Sequence, residues 1–515
     1  MRSGVISPPN EKPTTMTCTS RPFLSIALGL IFAHVTNAQY TTPGTGLSYT
    51  LADLVAISGG VITSTSDTSY LQTTDFTLAA TDTLLIDEDL TWAVASSAAI
   101  NIFGSFIASA PLQAVITADE PALHHQGIRF EDGSHINLVR VSITDGGGIK
   151  CLTNDLMLAY CTITNQAPNA TTGAALELSD GKVFLHHVTF EDNEMAAISS
   201  AANGAAAPQI TDCVFLHNGS ANTNRPQINL GPSGIDTTLI RNNTVIGDPS
   251  STLVGGIAFS SLLGNEGHAV IDSNTVTDNR YGIAVIGSNI TSLISNNTIA
   301  DNNTQGNPAQ GGSGINLNGG ATNVSMVSGN QISGSLWGIT LQGSVMTNLG
   351  DTATATFNPG ENSFSDNGNG GVIYALYNNT PNTVPAMNNC WDIDNPSIDS
   401  TAAAAVIFDV ADIGTLGQVF FMPLGTCDIN TGVYLATPPE PVITVFPNPS
   451  NGQVHITSKL PIESVTLFSA NGQLVRTQRS PVQGPWTIGN LGTGLYLLKA
   501  TTPAGVEHIQ RIVVE

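Results

Sequence analysis

Residues 274–302 read NTVTDNRYGIAVIGSNITSLISNNTIADN. Two runs, Asn274-Thr-Val276 and Asn297-Thr-Ile299, alternate polar and apolar residues and start 23 positions apart. Between them Ile283-Ala-Val285 alternates again, and Gly, Asn and Asp break each run. Alternation of this period marks strands with one buried face, but strands so short do not hold structure alone. Each needs neighbours of its own kind.

The neighbours are present. The landmark reads CTI at Cys161, VTF at Val188, CVF at Cys213, NTV at Asn243 and Asn274, NTI at Asn297, NQI at Asn330 and NSF at Asn362. The intervals are 27, 25, 30, 31, 23, 33 and 32 residues. A second landmark, a small residue then an aliphatic, keeps step: Gly148-Ile149, Ala175-Leu176, Ala197-Ile198, Gly256-Ile257, Gly282-Ile283, Gly314-Ile315 and Gly338-Ile339. Two landmarks recurring together make an internal repeat. Stacked in parallel at roughly 4.8 Å, each short strand finds backbone partners in the coils above and below. The sequence therefore predicts an all-β chain: a right-handed parallel β-helix, a solenoid whose unequal intervals bulge out as loops.

Alternation assigns the faces. Ile163, Phe190, Phe215, Val245, Val276, Ile299, Ile332 and Phe364 point inward. So do the residues two earlier, which begin as Cys161, Val188 and Cys213 and continue as Asn243, Asn274, Asn297, Asn330 and Asn362. Buried amides are tolerated only when paired. The five asparagines are thus expected to form a structural ladder, each bonded to its neighbours in adjacent coils.

Cys161 and Cys213 share a column but lie two coils apart, roughly 9–10 Å, whereas a disulfide needs Cα atoms within about 7 Å. Both are expected to be free core residues. Cys390 and Cys427 fall in the non-repeating tail and are the candidate disulfide. With Cys151 they make five cysteines beyond residue 38, so at least one is unpaired.

The repeat opens before residue 143. Asp82-Thr-Leu-Leu-Ile86, Ile100-Asn-Ile102, Gly104-Ser-Phe-Ile107 and Gly127-Ile-Arg-Phe130 alternate in turn. This succession resembles the first coils of secreted parallel β-helix repeat proteins of the pectin-lyase-like architecture. Asn389-Cys-Trp-Asp392 and Gly417 to Pro423 resemble that group's closing segment, although the group usually has Gly where this chain has Asp392. The resemblance spans about residues 75–425 and implies the fold, which hosts lyases, hydrolases, adhesins and inert stalks alike.

For a pectin-type hydrolase the resemblance would require paired Asp residues, Gly-His-Gly and Arg-x-Lys. None is present, and Gly267-His-Ala269 lacks the second glycine. Asp278 and Asp301 fall on adjacent coils with Asn279 and Asn302 beside them, a calcium candidate of oxygen ligands. The alternative is that Asp-Asn pairs simply suit left-handed turns. Asp192 and His217 form a neighbouring acid–imidazole pair without an evident nucleophile. The doublets His124-His125 and His186-His187 lack partners at metal-ligand spacing and read as surface. An outward row, Thr162, Thr189, Thr244, Thr275 and Thr298, lacks the matching second threonine column that a flat ice-binding array would need, and β-propensity accounts for it. No cofactor is called for.

Composition narrows the partners. The 515 residues carry a net charge of −24 with only 10% charged residues, and no Lys or Arg lies between Arg280 and Lys459. Phosphate binding needs clustered basic residues, so nucleic acid is excluded as a partner. Arg21 precedes the apolar run Pro22–Ala33, and small residues lead to Ala38, the pattern of a signal peptide over residues 1–38. No later segment is apolar and long enough to span a membrane. Residues 39–74 read as a lead-in or cap, 75–430 as the β-helix with its terminal cap, and 431–441, containing Pro438-Pro439-Glu-Pro441, as a stiff linker.

After the linker the cadence changes. Seven short strand-like runs follow, with hairpin signals at Asn451-Gly452 and Asn471-Gly472, over residues 442–515. They predict a small antiparallel β-sandwich. Phe446-Pro447-Asn448-Pro449, Gly452, Asn471-Gly472-Gln473, Leu491-Gly-Thr-Gly494-Leu-Tyr496 and Arg511-Ile-Val-Val514 resemble the type A C-terminal sorting domain of the type IX secretion system. That resemblance implies the secretion machinery as partner, and a location outside, or on the outer surface of, a Gram-negative bacterium. The reading for function is an adhesin-like protein that binds polysaccharide or a cell-surface ligand. A β-helix polysaccharide lyase or hydrolase is the alternative, and an inert spacer the third.

Overall fold

The computed structural model describes residues 39–167, 173–394, 398–427, 443–446, 450, 452–458, 464–469, 474–479, 486–501 and 507–514. The signal peptide at 1–38 and the linker at 431–441 lie outside the described residues. Two compact units divide between 428 and 429.

The first unit is a parallel β-helix with three faces. Face one is a single sheet of 14 strands running from Tyr40–Thr41 to Ile407–Phe408. Its inward column pairs Ile128, Ile149, Leu176, Ile198, Ile228, Ile257, Ile283, Ile315, Ile339, Leu376 and Ile407 coil upon coil. Ile228 belongs to that column, although the Gln227 before it breaks the small-then-aliphatic landmark. On face three, Ile163, Phe190, Phe215, Val245, Val276, Ile299, Ile332 and Phe364 pair in unbroken register. All of them are buried. Each such side chain contributes about 1.5–3 kcal/mol relative to exposure. The column stacks like on like: the Phe190 and Phe215 rings lie 5.1 Å apart and 2° from parallel.

A left-handed residue turns the chain from face two, whose strands include Leu156–Ala159, Phe184–His186 and Gln209–Thr211, into face three. Tyr160, His187, Asp212, Asn242, Ser273 and Asn296 hold that corner with φ between 52° and 58°. Small polar residues tolerate this conformation best, and four of the six are Asp, Asn or Ser. The next residue points inward, and there the amide ladder stands. Asn243 Nδ2 donates to Asn274 Oδ1 at 2.9 Å, Asn274 to Asn297 at 2.9 Å, Asn297 to Asn330 at 2.8 Å and Asn330 to Asn362 at 2.9 Å. Asn389 adds a further rung, accepting from Asn362 at 2.9 Å. Each carbonyl oxygen also accepts the backbone N–H of the preceding rung, as Asn274 does from Asn243 at 3.0 Å.

The coils begin earlier than residue 75. Tyr40–Thr41 pairs with Phe76–Thr77, and Ser48–Tyr49 with Thr83–Leu84. Between them the helix Leu51–Ile57 starts at Thr50, whose hydroxyl accepts from the Asp53 N–H while Asp53 reaches back to the Thr50 N–H. At the other end Cys390 and Cys427 form a disulfide with Cα atoms 5.0 Å apart, and Cys151, Cys161 and Cys213 are free and buried.

The second unit has two antiparallel sheets. One joins Ile443–Phe446, Val454–Ser458 and Trp486–Ile488; the other joins Leu474–Arg479, Ser464–Ser469, Gly494–Thr501 and Glu507–Val514. Val454, Ile456, Leu467, Leu498 and Ile512 make its separate core. Among the motif residues, Gly452 (φ 88°), Gly494 and Tyr496 are described, and the Tyr496 hydroxyl donates to the Gly492 carbonyl at 2.9 Å. Pro447, Asn448, Pro449 and Gly472 lie outside the described residues.

Candidate functional site

The outward side of face one changes character towards the C-terminal coils. Inward Ile315, Leu317, Ile339 and Leu341 force Asn316, Asn318, Thr340 and Gln342 outward by alternation. The next coils bring Tyr377 and Asn379 over Thr340 and Gln342, then Phe408 over Tyr377. Trp337 enters one strand position before Gly338, opposite Ser313. Its ring centre lies 4.7 Å from those of both Tyr374 and Tyr377, and Tyr377 stacks on Phe408 at 4.7 Å and 18°.

Of these, Asn316, Trp337, Thr340, Gln342, Tyr377 and Asn379 line a cleft of about 480 Å³, with Tyr374 and Phe408 packed behind the rings. The loop around Pro308–Gly311 and Arg280 form its wall. The indole N–H of Trp337 donates to the Pro308 carbonyl at 3.0 Å, tying floor to wall. Arg280 Nε donates to the Gln310 carbonyl at 2.8 Å, and its guanidinium also bonds Asn224. Burial pushes the Tyr281 phenol up to about 12, so it remains protonated. Thr340 donates to Asn316 at 3.2 Å and Asn318 to Gln342 at 3.2 Å, which orients the amides across coils.

Half-buried aromatic rings beside convergent amides and hydroxyls suit a sugar. Such rings offer an apolar face for stacking, and the amides and hydroxyls offer hydrogen bonds that would orient a ligand. Among the described residues that line the cleft there is no Asp or Glu. Sequence reading missed this site. An aromatic stood beside the face-one landmark in Trp337-Gly338-Ile339, Tyr374-Ala-Leu376-Tyr377 and Ile407-Phe408, but only inter-coil register shows that the rings converge.

The calcium candidates sit elsewhere. Asp278 and Asp301 hold left-handed turns with φ 59° and 55° at the end of face three, as do Asp192, His217 and Asp366. Asn279 and Asn302 do not face them. Both are buried in a second amide ladder, in which Asn193 donates to Asn218, Asn218 and Gln227 are paired, Gln227 donates to Asn279, and Asn279 donates to Asn302. Their oxygens are spent there, which removes them as ligands for a cation at the two carboxylates. The Asp192–His217 pair is exposed, at 3.7 Å.

One surface expectation is corrected; His186 and His187 are exposed as expected but do not stand alone. His125 is buried, accepts from the Gly127 N–H at 3.0 Å, and is pushed down to about 4 by desolvation. His186 and His187 do have a partner: Asp212, from the next coil, lies beside them. The interval of 25 residues that separates the coils hid it. The threonine row is interrupted by Val214 between Thr189 and Thr244.

Residues 444–515 match the family model described as "Secretion system C-terminal sorting domain". A search for curated relatives finds no match. Among solved structures the chain is similar to a mutant of the periplasmic alginate epimerase AlgG, at 11% identity and a TM-score of 0.44, over 73% of this chain and 83% of that one. The fold and the tail together define an exported parallel β-helix protein: a solenoid carrying a secretion sorting domain at its C-terminus. Among the described residues no helix is long and apolar enough to cross a membrane.

Proposed function

We propose that the protein is cargo of the type IX secretion machinery, displayed on or released from the outer surface of a Gram-negative bacterium, where it binds a neutral polysaccharide through the Trp337–Tyr377 cleft. It acts as an adhesin-like binding protein. The observation that carries this reading is the cleft itself: aromatic rings, amides and hydroxyls with no carboxylate among the lining residues. Arg280 is already held by the wall, and Tyr281 resists deprotonation, so neither is poised as a base. A chain of net charge −24 also repels polyuronates, which favours an uncharged glycan.

The test is to screen the purified protein against a panel of neutral and acidic polysaccharides, measuring retention together with new reducing or unsaturated ends. Retention of neutral glycans without new ends supports the reading. New ends would establish a polysaccharide-cleaving enzyme, and no retention at all would favour a spacer.

A further inference from the structure

We infer that His186, His187 and Asp212 form a binding site for a zinc-class divalent ion. One ligand atom from each lies within 4.8 Å of the others. The closest pair, His186 Nδ1 and Asp212 Oδ2, is 3.3 Å apart. Two ligands bound tetrahedrally at about 2.1 Å stand about 3.4 Å from each other, so this edge already has the required length.

The solenoid builds the site. His187 and Asp212 occupy the same left-handed corner on adjacent coils, with φ 52° and 55°, and His186 is the last residue of the strand that feeds the corner. Parallel stacking fixes their separation at one coil spacing. The flanking groups hold the side chains. Tyr160, from the coil below, stacks on the His187 ring at 4.8 Å and 22°. Asn242, from the coil above, donates to Asp212 Oδ1 at 3.4 Å and leaves Oδ2 facing His186. The Thr211 hydroxyl lies 2.9 Å from the same His186 Nδ1, so an ion bound there displaces that hydrogen bond.

Two imidazoles and one carboxylate favour zinc, nickel or copper over calcium and magnesium, which prefer all-oxygen shells. The cluster is open to solvent, so three protein ligands leave room for water or an outside group.

The test uses untagged protein stripped with a chelator and titrated with Zn2+ by calorimetry. The expected result is one strong site that millimolar Ca2+ does not displace. His187→Ala and Asp212→Asn should each weaken it at least tenfold, while His217→Ala, outside the cluster, leaves it unchanged. Circular dichroism on every variant checks folding. Absence of a strong site in the parent protein overturns the inference, and so does affinity that survives both cluster substitutions.

Discussion

Replacing Asn274 by alanine probes the ladder at its centre. Its Nδ2 donates to Asn297 Oδ1 and to the Ile240 carbonyl, each at 2.9 Å. Its Oδ1 accepts from the Asn243 side chain at 2.9 Å and from the Asn243 backbone N–H at 3.0 Å. Truncation leaves Asn297 Oδ1 one donor, the Asn274 backbone N–H at 2.9 Å, and Asn243 Nδ2 one acceptor, the Ile210 carbonyl at 3.0 Å. The Asn243 backbone N–H loses its side-chain acceptor, and the Ile240 carbonyl loses its side-chain donor. The Asn243 N–H, buried and left without an acceptor, costs about 1–3 kcal/mol, and the weakened partners and a small cavity add to it. Coils adjoin only their neighbours, so the loss is local before it is global. Hydrogen exchange by mass spectrometry should show faster exchange in residues 243–246 and 274–277, with little change around Ile128–Phe130. Urea unfolding should shift to lower concentration as well. A loss below about 1 kcal/mol with unchanged exchange at Asn243 would refute the idea that the amides carry these coils.

Two further predictions follow from single features. His125 has a folded pKa of about 4 against 6.5 unfolded, so the unfolded chain binds more protons between those values. Its contribution, about 3 kcal/mol, is complete above pH 6.5 and is lost as pH falls through 4; the stability difference between pH 7 and pH 4 should shrink by about that amount in His125→Gln, and an unchanged difference would contradict the assignment. Deleting residues 444–515 should leave the protein inside the outer membrane, as fractionation would read; normal export would contradict the role of the tail.

The solenoid was legible because its period is written twice, in the Asn-Thr-Val strands and in the Gly-Ile strands, and because the first three entries of the ladder column are apolar. That column could only face inward, which made the ladder from Asn243 to Asn362 readable. The disulfide candidate could be narrowed to Cys390 and Cys427 because coil spacing kept Cys161 and Cys213 apart. Other features depended on which residues of distant segments share a level. Trp337, Tyr374, Tyr377 and Phe408 meet only once loop lengths are resolved into register. Asp212 reaches His186 across a coil boundary, and Gln227 enters the second ladder from the bend just before the face-one strand Ile228–Leu230. The first coils went unread because Tyr40–Thr41 and Ser48–Tyr49 are only two residues each, and because an antiparallel hairpin, Ile62–Ser66 with Ser69–Gln72, interrupts the parallel pattern.

The cleft can be interrogated through its own indole. Trp92 and Trp391 are fully buried, whereas Trp337 lines the cleft. Titration of the protein with a retained neutral oligosaccharide should give a saturable change in tryptophan emission. That change should disappear in Trp337→Phe, and affinity should fall at least tenfold in Tyr377→Ala. Saturable binding that leaves the emission untouched, or that survives Tyr377→Ala at full affinity, would place the ligand elsewhere and contradict the account.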